Sequence, residues 1–166
     1  MSAIDPALLQ AALDREGRFN AALAELLRAT GALRTTVRLD LPALGWSVNT
    51  PCAEVLSEAA RSMRGDASID HRRARSIRWI ERHRQTLVQA DVHADPDMAP
   101  PPALSAVFGT RAQMVAPLIA SDDYMIGWVS AHFAEAPRRF SDADRAAMAR
   151  AVDAVLTITA PHGALS

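Results

Sequence analysis

Two apolar runs joined by a short polar turn constrain the fold more than any other part of the chain. Residues 113–119 and 125–133 are rich in apolar side chains, and Ser121, Asp122 and Asp123 stand in the turn between them. Runs of this length on either side of a polar turn predict two adjacent antiparallel strands. At least one face of this hairpin must be covered by another element for its apolar side chains to be buried.

Long helices are predicted at both ends of the chain. After the hairpin, Ser141 is a suitable N-cap and Asp144 stands at the capping-box position, so we expect a helix from Asp142 to about Thr159. Near the start, Asp5 and Pro6 are typical of a helix beginning, and apolar residues then recur at helical spacing until Gly31. Each helix presents one apolar stripe, which predicts packing against a sheet.

Shorter elements are predicted between these two helices. They are a strand at 35–41, a partner strand at 44–48, helices at 51–63 and 72–84, a strand at 86–91, a proline-rich loop at 94–102 and a helix at 103–108. This order predicts an α+β fold with a mainly antiparallel sheet. We expect one domain over residues 1–166, with the N-terminal helix at 1–31, sheet and pocket at 33–133 and the C-terminal helix at 141–160.

Composition excludes several kinds of function. All 18 basic residues are arginine, and the absence of lysine excludes Schiff-base chemistry and a P-loop lysine. With Cys52 as the only cysteine, the chain can form neither an intramolecular disulfide nor a cysteine-rich metal site. A net charge of −1 gives no general attraction to nucleic acid or to an anionic membrane. No signal peptide or membrane-spanning run is recognisable, so a cytoplasmic location is expected.

Five segments in order, TTVRLDL, RHRQTLVQADV, RAQMVAPL, IGWVSAHF and FSDAD, resemble a GAF domain. The chain is similar to the small, stand-alone GAF-type proteins of high-GC bacteria. The resemblance implies a sheet with the terminal helices on one face and a ligand pocket, covered by helices and loops, on the other. It also implies a ligand-binding sensor in signal transduction, with no cofactor, and a homodimer formed through the terminal helices.

Departures from characterised GAF branches narrow what the resemblance implies. The chain has no NKxDE-type sequence, which removes the usual support for cyclic-nucleotide binding. One cysteine cannot form the intramolecular disulfide that cycles in free-methionine sulfoxide reductases of this fold. Cys52 also lacks the sequence setting of a bilin-attachment cysteine.

Side-chain alternation predicts which residues face the pocket. Because neighbouring strand residues point to opposite faces, Arg38 and Asp40 share one face of the first strand. The helix side is predicted to hold Val37, Leu39, Val129, Ala131 and Phe133. The expected ligand-binding residues are Arg38, Asp40, Trp79, Gln89, Asp91, Gln113, Trp128, Ser130 and His132. An arginine among them suits a carboxylate-bearing ligand, and Trp46, Trp79 or Trp128 suits an aromatic one.

Other interpretations stay open at this point. Arg38 can instead pair with Asp40 or Asp91 in a self-satisfied network. Besides the ligand-binding sensor, two other functions are possible. One is a small enzyme that uses Asp91 and His132 as acid–base partners, and the other is a dimerisation module without ligand. We expect no metal site, because HxxxH and HExxH spacings are absent, and we interpret the arginine run at 72–84 as a solvated helix face. The residues expected to lie at or beneath the dimer interface are Leu9, Leu13, Leu23, Met148, Val152 and Val155.

Overall fold

A computed structural model describes residues 5–163 and has a central sheet, with the two terminal helices packed on one of its faces. The helices are α1 (Pro6–Thr30), α2 (Arg75–His83), α3 (Pro102–Ala106) and α4 (Asp142–Gly163). The strands are β1 (Arg34–Leu39), β2 (Ala53–Leu56), β3 (Leu87–Gln89), β4 (Ala112–Ile119) and β5 (Met125–Phe133). Short 3-10 helices cover Pro42–Leu44, His71–Arg73 and Pro96–Met98.

The sheet is antiparallel throughout and has the strand order β2-β1-β5-β4-β3. The predicted β4–β5 hairpin is confirmed, and so is the α+β fold class. β1 lies beside β5, although the two strands are far apart in sequence. In their register Arg34 is opposite His132, Thr36 is opposite Ser130, and Arg38 is opposite Trp128. One face of the sheet centre is therefore polar.

The opposite face packs against α1 and α4. The predicted helix-side residues of β1 and β5 are confirmed, since Val37, Leu39, Val129, Ala131 and Phe133 share one core with α1 and α4. The α4 capping box forms as predicted, because the Asp144 amide donates to Ser141 Oγ and the Ser141 amide donates to Asp144 Oδ2. Among the described residues, no helix is long and apolar enough to span a membrane.

A thinner layer covers the polar face. It consists of α2, α3 and the irregular segments around them. Ile77 and Ile80 of α2 are buried, and both contribute with Trp128 to a second apolar cluster. This cover is built largely from loops and short helices, which carry fewer cooperative hydrogen bonds than the long helices on the other face.

The helix predicted at 51–63 is wrong. Its segment instead supplies β2, which pairs with the outer edge of β1 and places Thr36 opposite Glu54. The apolar spacing that favoured a helix also fits a short strand. The strand forms because the edge of β1 has backbone N–H and C=O groups that need partners, and β2 supplies them.

The partner strand predicted at 44–48 is wrong as well. Pro42–Leu44 forms a 3-10 turn that ends at Gly45, where φ is 69°. A single bridge between Leu41 and Trp46 is all the pairing this segment makes. Trp46 packs against Phe19 of α1 at 5.7 Å between ring centroids, and so belongs to the helix side.

Candidate functional site

A small cavity lies between the polar face of the sheet and its cover. Its volume is about 20 Å³, roughly the room one water molecule needs. The sheet contributes Arg38, Gln113, Val115, Trp128, Ser130 and His132 to its wall, and the cover contributes Met63, His71, Ser76, Ile77, Pro100 and Leu104 among others. Five of the nine expected ligand-binding residues therefore converge here from three neighbouring strands.

Arg38 is the most unusual group in this wall. Its side chain is only 2% exposed, and its Nη1 donates to the carbonyl of Val48 at 3.0 Å. Its Nη2 has no hydrogen-bond partner in the described part of the chain. Burial lowers the pKa of Arg38 to about 10, so the guanidinium is still charged at neutral pH. A buried cation with an unused donor is costly unless another group satisfies it.

The two cavity histidines are neutral. Burial, followed by the charges of Arg34 and Arg38, holds the pKa of His132 well below its ordinary value. Burial is also the main reason why the pKa of His71 falls to about 3, and Arg38 lowers it further. Neither ring adds positive charge to the cavity at neutral pH.

A pair of glutamines joins the sheet to its cover. Gln113 Nε2 donates to Gln89 Oε1 at 2.6 Å, and Gln89 Nε2 donates to the carbonyl of Met98 at 2.9 Å. Gln89 is buried beside the cavity without lining it. The carbonyl oxygen of Gln113 is left as an acceptor near the cavity.

Three expected site residues lie elsewhere. Asp40 Oδ1 accepts from the Val48 amide, and its other oxygen is ion-paired with Arg72. Asp91 Oδ1 accepts from the amide of His93 in a local turn. Trp79 is stacked on His83 of α2, with ring centroids 4.4 Å apart.

The pairings expected of these acids do not form. Within residues 5–163, Arg38 forms no hydrogen bond or ion pair with Asp40 or Asp91, and none joins Asp91 to His132. The turn geometry of Asp91 directs its carboxylate to its own loop. The structure therefore supplies His132 with no acidic partner from this position.

Sequence reasoning missed three charged or titratable groups beneath the cover. Arg34 is fully buried, the Glu54 carboxylate accepts from the Met63 amide at 2.8 Å, and His71 lines the cavity. The alternation of side chains along β1 could have predicted the place of Arg34, because Arg34 and Arg38 are four residues apart and so share one face of the strand. Glu54 was hidden by the wrong helix prediction.

Cys52 belongs to the other side of the sheet. It is half-buried against the helix-side core, and its Sγ lies 3.4 Å from the Val37 carbonyl. Burial raises the pKa of its thiol to about 12. The thiolate needed for a nucleophile is thus nearly absent at neutral pH.

The arginine run is mostly solvent-exposed, as the sequence indicates. Arg73 and Arg75 have side chains 87% and 64% exposed, and they pair with Asp70 and Asp97. Exposed pairs of this kind contribute little to stability.

A second, larger cavity lies near the β4–β5 turn. Its volume is about 380 Å³, and most of its wall is apolar, including Leu41, Ile119, Ile126 and Leu156. The carboxylates in its wall, Asp40 and Asp122, already accept backbone hydrogen bonds. It therefore has the size of a ligand site, but its wall offers no buried charge with an unused donor.

A family model for the GAF domain matches residues 14–156. The chain belongs to the GAF family. No curated protein sequence matches it significantly.

Solved structures agree with this assignment. The blue-light-absorbing form of the Thermosynechococcus elongatus PixJ GAF domain superposes with a TM-score of 0.70 at 21% identity, covering 96% of this chain and 92% of that one. The phycocyanobilin-bound GAF domain of a cyanobacterial phytochrome gives a TM-score of 0.63 at 20% identity, covering 97% and 96%. The cyanobacteriochrome receptor PixJ gives 0.68 at 19%, covering 89% and 97%. At these identities the likeness establishes a shared GAF fold.

Proposed function

We propose that this GAF domain is a non-catalytic sensor or accessory module that binds a small metabolite through an anionic group, such as a carboxylate. The proposed site is the cavity between the polar sheet face and its cover. The unpartnered Nη2 of Arg38 is the observation that carries the proposal. A carboxylate oxygen would supply the acceptor that this buried guanidinium lacks, in a charge-assisted hydrogen bond.

The surroundings of Arg38 favour an anion over a cation. Arg34 and Arg38 bring two positive charges beneath the cover, and Glu54, whose carboxylate lies 3.9 Å from Arg34 Nε, is ion-paired with Arg34. With His71 and His132 neutral, a positive charge is left at the cavity wall. Trp128 adds an apolar wall for the rest of the ligand.

The size of the cavity determines how a metabolite would enter. A volume near 20 Å³ is about the room of one water molecule, whereas sites for whole metabolites usually measure about 300–1,000 Å³. We propose that the segment around Pro100 and Leu104 moves outward as the ligand binds. Few side-chain bonds hold this segment to the sheet, among them the one from Gln89 to the Met98 carbonyl.

A covalently attached bilin is a poor fit for the site. One structural neighbour binds phycocyanobilin, but the only cysteine of this chain packs on the opposite side of the sheet with a thiol pKa of about 12. We therefore favour a smaller, non-covalent ligand. The cytoplasmic location expected from the sequence stays a prediction.

The site can be tested in two steps. Native mass spectrometry on freshly purified protein, followed by denaturing metabolite analysis, would reveal a ligand that co-purifies. Arg38→Ala should then weaken its binding by about 1.5–3 kcal/mol, or roughly one to two decades in affinity. Arg28→Ala, at an exposed arginine of α1, is the matched control and should leave affinity unchanged.

The alternatives give different results in the same experiments. His132→Ala should weaken binding less than Arg38→Ala if the protein is a sensor, but it should abolish turnover if the protein is an enzyme. A protein without co-purified ligand, whose Arg38→Ala variant gains stability because an unsatisfied buried charge is removed, would instead be a dimerisation module. That result would contradict the proposal.

We also propose a homodimer formed through α1 and α4. Of the expected interface residues, Leu9 and Leu13 are 48% and 53% exposed on the first turns of α1, whereas Leu23, Met148 and Val155 lie beneath in the core. Val152 is half-buried against the same core. Large apolar side chains exposed together on one helix are typical of a protein–protein contact.

A further inference from the structure

Arg34 occupies the most heavily bonded position beneath the cover. It begins β1 and its side chain is fully buried. Its Nε and Nη2 donate to the Arg61 carbonyl at 3.1 and 2.6 Å, and Nη2 also donates to the Phe108 carbonyl at 2.9 Å. Its Nη1 lies 3.1 Å from His132 Nδ1. These contacts hold the guanidinium in one orientation against β5.

The contact with His132 determines which ring nitrogen carries hydrogen. A guanidinium has donors and no acceptor, so the Nδ1 atom facing Arg34 must present its lone pair. In a neutral imidazole with a lone pair on Nδ1, the hydrogen is on Nε2. A protonated ring would place two N–H groups and two positive charges against each other.

Within residues 5–163, no acidic side chain is hydrogen-bonded or ion-paired with His132 to offset this effect. Arg34 and Arg38 come from the neighbouring strand β1, and their charges oppose protonation of the ring, as burial does. His71 comes from the cover and is neutral. Gln113, opposite His132 on β4, is uncharged. His132 lines the cavity, and with Nδ1 engaged, Nε2 is its remaining polar atom.

We propose that Arg34 is a positioning residue that determines the specificity of the ligand site: it holds His132 in the Nε2–H form, so that His132 and Arg38 both present donors and the site selects an oxyanion over an amide or ammonium group. The ligand part of this inference rests on the proposed function. The state of the His132 ring does not, because it follows from contacts within the protein.

Selectivity follows from what each ligand would leave unpaired. A carboxylate has two oxygens, and each can accept from one of the two donors. A primary amide of the same shape offers one oxygen and turns N–H groups toward the second donor. The Gln113 carbonyl oxygen can accept from an amide N–H, but the donor that faced the second carboxylate oxygen is still left unsatisfied, so the site prefers the oxyanion.

The first experiment measures the ring without ligand. Protein labelled with ¹⁵N at histidine is studied by two-bond ¹H–¹⁵N correlation spectroscopy from about pH 5.5 to 8, with the His132 signals identified by their loss in His132→Gln. We expect the Nε2–H form throughout this range. Arg34→Lys, which retains a donor, should preserve it, whereas Arg34→Gln should give a mixture of ring forms. Arg28→Gln is the control and should change nothing.

The second experiment uses formate and formamide, the smallest carboxylate and the smallest primary amide, which require the least movement of the cover. NMR titration of the wild type should show formate binding at least about tenfold more tightly than formamide, with the His132 Nε2–H signals shifting. Arg34→Lys should keep most of this preference, and Arg34→Gln should lose most of it. Each variant is checked for a folded spectrum, so that loss of folding is not mistaken for loss of selectivity.

The outcomes separate the two proposals. An Nδ1–H ring or a protonated ring in the ligand-free protein would overturn the role of Arg34 whatever binds. Formamide binding as tightly as formate would overturn the selection of oxyanions while leaving a ligand site. An Nε2–H ring in a protein that binds neither probe would support the positioning by Arg34 and contradict the proposed anion site.

Discussion

Gly127 offers the sharpest test of how β1 and β5 hold the site together. It lies in β5 opposite Leu39 of β1. A Cβ atom at this position would stand 1.9 Å from the carbonyl oxygen of Arg38 and 2.9 Å from its carbonyl carbon. Both neighbours are backbone atoms, so no side-chain rotation can relieve the clash. Gly127→Ala must therefore push the two central strands apart.

The size of the effect follows from this geometry. The Cβ–oxygen separation must grow by about 1.5 Å to reach the 3.4 Å of ordinary contact. A displacement of that size breaks nearby strand hydrogen bonds, such as the 2.7 Å bond from the Asp40 amide to the Ile126 carbonyl. Overpacking costs about 1–3 kcal/mol, and each lost hydrogen bond costs about 0.5–1.5 kcal/mol. We expect Gly127→Ala to lower the free energy of unfolding by about 3 kcal/mol.

Urea unfolding followed by circular dichroism measures this change in the free energy of unfolding. In thermal unfolding, the melting temperature should fall by roughly 6–12 °C for a chain of this size. Gly17→Ala is the matched control, because no atom lies within 4 Å of the Cβ it would add. Gly17 lies inside α1, where alanine is preferred over glycine by about 1 kcal/mol. The same substitution should thus stabilise at Gly17. A Gly127→Ala protein within about 0.5 kcal/mol of the wild type would refute the reasoning about the strand contact.

Three further predictions concern pH, the cysteine and assembly. In the folded protein the pKa of His71 is about 3 and that of His132 is also well below 6.5. Below pH 6.5 the unfolded state therefore binds more protons than the folded state. The free energy of unfolding should be highest above that pH and should decline below it by up to about 1.4 kcal/mol per pH unit for each histidine. Urea unfolding from pH 7.5 to 5 checks this, His71→Gln should reduce the slope, and a flat profile would contradict it. Cys52→Ser should leave ligand binding and oligomeric state unchanged, and the wild-type thiol should react slowly with a disulfide reagent at pH 7.5, since its pKa is about 12; a disulfide-linked dimer on a non-reducing gel, lost in the variant, would count against this. Light scattering at micromolar concentration should give a dimer mass for the wild type. The double variant Leu9→Asp/Leu13→Asp should give a monomer mass, because both leucines are exposed on α1. A monomeric wild type would exclude the proposed interface.

Local sequence signals were enough to predict the two long helices, α1 and α4, and the β4–β5 hairpin. Asp5 and Gly31 bound α1 as expected, with the Asp5 side chain accepting from the Ala7 amide and Gly31 in the left-handed region at φ 70°. The Ser141–Asp144 capping box begins α4. The β4–β5 hairpin needs only neighbouring residues and one turn. Such features depend on contacts between residues close in sequence, so their patterns are readable without the fold.

Strand alternation also separated the two sheet faces correctly. Placing Ser130 and His132 on one face of β5 required only the two-residue period of a strand. Placing Arg38 of β1 on the same side also required the apolar alternate positions of both strands to be assigned to the helix side. That these side chains meet at one cavity required β1 and β5 to be neighbours, which the GAF resemblance implied and the structure places in register.

Tertiary structure alone decided the remainder. The apolar residues of 51–63 have a spacing that suits a helix. The first part of this segment nevertheless forms β2, because it pairs with the free edge of β1, and this pairing places Glu54 near Arg34. Asp91 was expected at the site, but its carboxylate caps its own loop. The bonds of Arg34 reach residues up to 98 positions away. A buried charge takes its partners from whichever segments the fold brings to it, and no local pattern encodes that choice.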